Sequence, residues 1–265
     1  AIERLDDAFG LAQTPSDANR GNQSGLFIIV LRPVEFTAHP ISNFPTSIGG
    51  EVSLQDGDII EAVAVTLVRY PDDGAGLDFD KRRARTARDI FVNRSTKGFP
   101  ENVLPIAMIA LQNGNLQWVD QFMVRREVGA ETRDILNLGT PSLASREAHL
   151  SQYEAHLEDV LLRRGGDGTF AASLYFDCLP AAGRLPVAAI DTTSFSQFFF
   201  PQEMTVEMTI VPEDEVPALL QQSLYLPPID LSASGKTLES TAVLVLIPAP
   251  RDAVLQLSLR LQTLR

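Results

Sequence analysis

Apolar side chains recur at every second position in several stretches of this chain and at helical spacing in one. Leu26 to Leu31 is a short apolar run that predicts a buried strand ending at Pro33 and Pro40. Asp58 to Tyr70 is β-branched and apolar at both alternating sets of positions, between Asp56-Gly57 and Pro71-Asp72-Asp73-Gly74, and predicts a central strand. Leu104 to Leu111 and Leu116 to Val124 flank Gln112-Asn113-Gly114-Asn115; Asn-Gly accepts the positive φ angles of a two-residue turn, so these runs predict a hairpin.

One helix stands out. From Ser142 to Arg164, Leu143, Leu150, Tyr153, Leu157, Val160 and Leu161 fall on one stripe, after Thr140-Pro141 and before Gly165. Further on, Thr169 to Phe176, Glu203 to Val211 and Val254 to Leu264 alternate and predict half-buried strands of antiparallel sheets. Glu213-Asp214-Glu215 opens a short helix through Val216, Leu219, Leu220 and Leu224 that Pro227-Pro228 stops. The fold class expected is mainly β with a minor α component: antiparallel β-sandwich or barrel-like modules with one long connecting helix. Residues 1–24 read as a loose or partner-bound lead-in, 25–130 as a first β domain, 131–168 as a helical connector and 169–265 as a second β-rich module.

At 45% hydrophobic and 21% charged residues the chain can bury a sizeable core. No apolar run approaches the ~20 residues of a membrane-spanning helix. The opening segment, Ala1 to Gly10, does not read as a signal peptide. A net charge of −12 and a pI near 4.7 argue against nucleic acid as a partner. Against that background residues 81–97 hold Lys81, Arg82, Arg83, Arg85, Arg88, Arg94 and Lys97 and one acid, Asp89. Such an island suits a solvated loop, an anionic ligand or docking on an acidic neighbouring subunit, and the partner-binding candidates are Lys81, Arg82, Arg83, Arg85 and Arg88.

Catalytic spacing is sparse. The single cysteine, Cys178, sits among apolar residues without a histidine beside it in sequence. His149 and His156 are two helical turns apart, roughly 10 Å of rise, too far for one ion, so they read as solvated or interface histidines. Gly165-Gly166-Asp167-Gly168-Thr169 matches a phosphate-loop signature of diacylglycerol and NAD kinases, but it follows a helix rather than a strand, which a helix C-cap explains as well. No catalytic group, cofactor or metal is expected. Trp118 and the trio Phe198, Phe199 and Phe200 complete the partner-binding candidates, since consecutive phenylalanines of an extended segment cannot all face one core.

Three segments, LPIAMIALQNGNLQWVDQFMVRR from Leu104, CLPAAGRLPVAAID from Cys178 and FFFPQ from Phe198, resemble β-modules of phage-tail and contractile-injection-system baseplate or tail-fibre-attachment proteins. The resemblance implies a non-enzymatic subunit of a larger assembly, homo- or hetero-oligomeric, in the cytoplasm or in a virion or injection-type particle. It supplies no functional residues. A carbohydrate- or ligand-binding β-module and a carboxylate-dependent hydrolase are the alternatives.

Overall fold

The computed structural model describes residues 3–5, 24–39, 41–43, 53–55, 57–72, 74, 76–95, 97–99, 103–125, 142–191, 193–194 and 196–264. The expected lead-in, Thr140-Pro141 and Phe195 lie mostly or wholly outside them. The fold is mainly β with a minor helical component, without a closed barrel. The chain forms two compact units: 1–71 with 97–124, and 72–96 with 125–265. These bounds differ from those expected, because a helical excursion at 72–96 leaves the first unit and belongs to the second, and the long helix is part of the second unit rather than a connector.

The first unit is a five-stranded sheet. Its middle strand is β2 (Gly25–Ala38), which pairs along its length with β5 (Asp58–Arg69) and on its other side with β6 (Leu104–Gln112) and, further on, with β1 (Glu3–Leu5); β7 (Asn115–Asp120) pairs β6. All pairs are antiparallel except β1 with β2. Strand β2 does not end at Pro33. That proline falls between Leu31, where β6 stops, and Val34, where β1 begins, so it has a neighbour only in β5. The hairpin forms as expected: Asn113 and Gly114 have φ of 52° and 77°, as a type I′ turn requires. A small hairpin of β3 (Ile41–Asn43) and β4 (Ser53–Gln55) extends the β2–β5 arm.

One sheet face is a core. Leu26, Ile28, Val30, Val34, Met108, Ala110 and Trp118 are buried on it, with Leu26, Ala110 and Trp118 in one row and Ile28 and Met108 in the next. Asp120, also buried, accepts the amides of Phe122 and Met123 at 3.0 and 3.1 Å and so turns the chain at the end of β7.

The second unit packs α1 (Phe79–Phe91) against α2 (Leu143–Arg163) and surrounds α2 with loops, short strand pairs and a parallel pair. Ser142 caps α2 through the Ser145 amide, and Gly165 and Gly166 close it at φ of 65° and 89° with the Gly166 amide on the Leu161 carbonyl. The glycine-rich stretch is therefore a helix cap. Strand β11 (Thr205–Pro212) runs parallel to β13 (Ala242–Ala249) across a crossover holding α3 (Val216–Ser223) and α4 (Gly235–Glu239); the short pairs are β8 (Cys178–Leu179) with β12 (Ile229–Asp230) and β9 (Ile190–Asp191) with β10 (Ser196–Gln197). The core gathers Tyr153, Leu157, Val160, Phe170, Phe176, Phe199, Phe200, Met204, Ile210 and Val245.

Two expected strands are absent. Residues 169–176 form an irregular stretch with a single 3-10 turn at Ala172–Leu174. Val254–Leu264 is helix α5, packed on β11. Its period-two leucines conceal a helical stripe, Val254, Leu257 and Leu261, that turns inward while Leu255 and Leu259 stay exposed; Leu, Gln and Arg are also stronger helix than strand formers.

Candidate interaction surface

Strand β5 pairs with β2 alone among the described residues, so it is an edge strand and not the central one its composition predicts. The register assigns its odd residues to the face opposite the buried core. Rows cross the sheet there: Val63 beside Pro33; Val65, Leu31 and Leu104; Leu67, Ile29 and Ala107; Arg69, Phe27, Ile109 and Val119. Val63, Val65 and Leu67 are 64%, 69% and 48% exposed, and Leu104 and Val119 are exposed with them. Scattered apolar residues on a surface are ordinary, but a contiguous apolar row with an unpaired backbone beside it marks an interaction site.

Beyond Asp58 at its start, two charges punctuate the strand. Glu61 lies directly opposite Glu35 of β2, and Arg69 lies opposite Phe27. Glu61 and Arg69 are both exposed.

The basic island is helix α1, a start that Asp78 encodes by accepting the Lys81 amide at 2.7 Å. Most of its cations are spent inside the second unit. Arg83, 1% exposed, donates to Asp159 at 2.6 Å; Arg88 grips both carboxylate oxygens of Asp230 at 2.7 Å; Arg82 pairs with Asp72 at 3.2 Å and donates to the Gly74 carbonyl; Lys81 reaches the Ser173 carbonyl at 2.6 Å. Arg85 alone of the five candidates is exposed. The Arg88 hydrogen bonds hold the Asp230 carboxyl below the usual range, whereas half-burial raises that of Asp177 against the pull of Lys81, Arg85 and Arg88. Two carboxyls with opposed shifts satisfy one criterion for an acid–base pair, but Asp230 is held by two guanidinium nitrogens of Arg88.

The phenylalanines do not alternate: Phe198 is half exposed, while the consecutive Phe199 and Phe200 both enter the core, because residues 198–200 bend rather than run extended. Trp118 also faces a core and is 7% exposed.

Neither His149 nor His156 is solvated, a correction that follows from their place on the inward stripe of α2 with Tyr153, Leu157 and Val160. His149 stacks on Phe91 at 4.5 Å and brings Nε2 to 3.4 Å from the Cys178 sulfur. Burial pushes the His149 imidazole down to about 3 and the Cys178 thiol far up, so both stay neutral and the pair lacks the thiolate a nucleophile needs. His156 meets Phe176 edge-on and lies well below its ordinary range, from burial first and then from Arg83 and Arg163. Phe91, Arg146, His149, Leu224 and Pro228 line a shallow open depression beside this pair. Among the described residues no group of three or more His, Cys, Asp or Glu side chains is placed to hold a metal ion.

Sequence reasoning brought β5 forward as a strand but not as a surface. The available signal was Glu61 and Arg69 inside an otherwise apolar run, since a charge at each end of one alternating set marks that set as facing water. No family model, curated protein or solved structure matches this chain.

Proposed function

We propose that this protein is a non-enzymatic structural subunit of a larger protein assembly, of the phage-tail or baseplate kind, and that it meets a neighbour through the edge of β5. The observation that carries this reading is the edge itself: twelve residues long, paired on one side among the described residues, with Val63, Val65 and Leu67 displayed along it. Left bare, such an edge invites strand pairing, and proteins that stay monomeric blunt it with charged side chains, proline or a bulge; the charges of β5 lie towards its ends and leave Ala62 to Val68 uncharged. Between Asp58 and Arg69 there is neither lysine nor proline. Strand addition satisfies the free amides and carbonyls while alternate side chains set the partner.

The ligand-binding alternative calls for an aromatic platform at Trp118 or at Phe198, Phe199 and Phe200; Trp118, Phe199 and Phe200 face a core, and Phe198 alone of the four is half exposed. The groups closest to nucleophilic chemistry, Cys178 and His149, are buried and neutral.

Velocity sedimentation of extracts from cells that make the protein tests the reading. The wild-type chain is expected in a particle far heavier than its own 29.0 kDa, and Val65→Asp in the light fractions with its fold intact by circular dichroism. Wild-type chain found only at its own mass overturns the proposal.

A further inference from the structure

Resting on that reading, the sequence of β5 identifies its neighbour: we infer that the strand added to this edge is β5 of a second copy of the same chain, antiparallel and centred on Val65. A twofold axis perpendicular to the sheet keeps each face on its own side, so residues of equal parity must oppose one another. Centring the axis on Val65 sets Val65 against Val65, Val63 against Leu67, and Glu61 against Arg69 at both ends. On the other face Ala64 then meets Thr66, and Ala62 meets Val68.

Among the equal-parity registers near the middle of the strand, this one joins both charges. Moving the axis to Ala64 places Glu61 against Leu67 and Ile59 against Arg69; moving it to Val63 places Glu61 against Val65. Neither register joins the two charges. Glu61 has β2 on one flank, and the second copy brings a guanidinium to the other. Both residues are exposed and available for it. The product is one continuous sheet across two chains, with the exposed Val63, Val65 and Leu67 of the two copies side by side.

Cysteine scanning of the purified chain reads the register directly. Opposed residues of an antiparallel pair have Cα atoms about 4.5 or 5.5 Å apart, and a disulfide spans about 4.4–6.8 Å. Val65→Cys is expected to give a covalent dimer under mild oxidation. Val63→Cys alone should not, because its two copies sit four residues apart along the strand, about 13 Å. Mixed with Leu67→Cys, it should cross-link. The native Cys178 is buried, and the wild-type chain under the same oxidant is the control.

Charge reversal gives a second reading. Glu61→Arg and Arg69→Glu should each weaken self-association about tenfold, because each sets two like-charge contacts, and the double variant should recover most of the loss. Cross-linking of Val63→Cys by itself as efficiently as Val65→Cys, or single and double reversals that weaken association equally, overturns the inference. So does a purified chain that stays monomeric at every concentration. If the native particle is still heavy, the assembly reading survives with a different neighbour on β5; if the native chain also sediments at its own mass, both fall.

Discussion

In the second unit the guanidinium of Arg83 is 1% exposed and bonded to Asp159, whereas in the first unit the isopropyl group of Val65 is 69% exposed. One unit has drawn its charges inward and paired them; the other shows water the strand it could most favourably bury. Burying charge is costly unless every ion is matched, so the second unit is internally complemented. Displaying a valine row gives up burial free energy of roughly 1.5 kcal/mol or more per side chain, which the free chain forgoes and a neighbour recovers.

This contrast implies an ordered set of effects. Leu157→Ala, at a position 1% exposed in the second unit's core, should destabilise that unit by about 2–5 kcal/mol in urea unfolding, whereas Val65→Ala in the first should change stability by less than about 0.5 kcal/mol. Equal costs would erase the contrast. Asp159→Ala leaves the buried Arg83 without its carboxylate and should cost about 3 kcal/mol. A loss under about 1 kcal/mol would mean that the helix pair does not depend on that ion pair.

Acid should weaken the second unit selectively. His149 is held neutral with its pKa at about 3, below the ordinary 6.5, so the unfolded chain binds its proton first as pH falls. Stability tied to this group is present above pH 6.5 and is lost as pH drops from 6.5 towards 3; at pH 4.5 the loss is on the order of 2–3 kcal/mol. His156, also lowered, acts in the same direction. His149→Phe, which preserves the stacking against Phe91, should flatten the acid limb of a stability–pH curve, and an unchanged limb would return the effect to other groups. The smallest effect belongs to Arg251, exposed beside Asp214 and Glu215: Arg251→Ala should leave the urea midpoint almost unchanged, because water and salt screen so exposed a pair.

The elements legible in the sequence are those with local punctuation. Asn113-Gly114 announced the β6–β7 hairpin, and Ser142 with Gly165 bracketed α2. What was not legible depends on who lies beside whom. Apolar residues at both alternating sets of β5 report that each face can be buried, and the structure covers only one. The ion pairs that absorb the basic island span 76 and 142 residues of sequence, so no window could relate Arg83 to Asp159 or Arg88 to Asp230. The same distance in sequence hid the meeting of Cys178 with His149. In α5, leucines at every second position satisfied strand and helix patterns together, and packing against β11 decided between them.

Amide hydrogen exchange along β5, compared between the free chain and the native particle, tests the central claim most directly. An edge strand protects only the amides that bond its one neighbour, so in the free chain protection from Asp58 to Arg69 should alternate between slow and fast positions. In the particle the fast positions should become slow and the alternation should vanish. An alternation that persists unchanged in the assembled state would contradict the assignment of β5 as the contact strand.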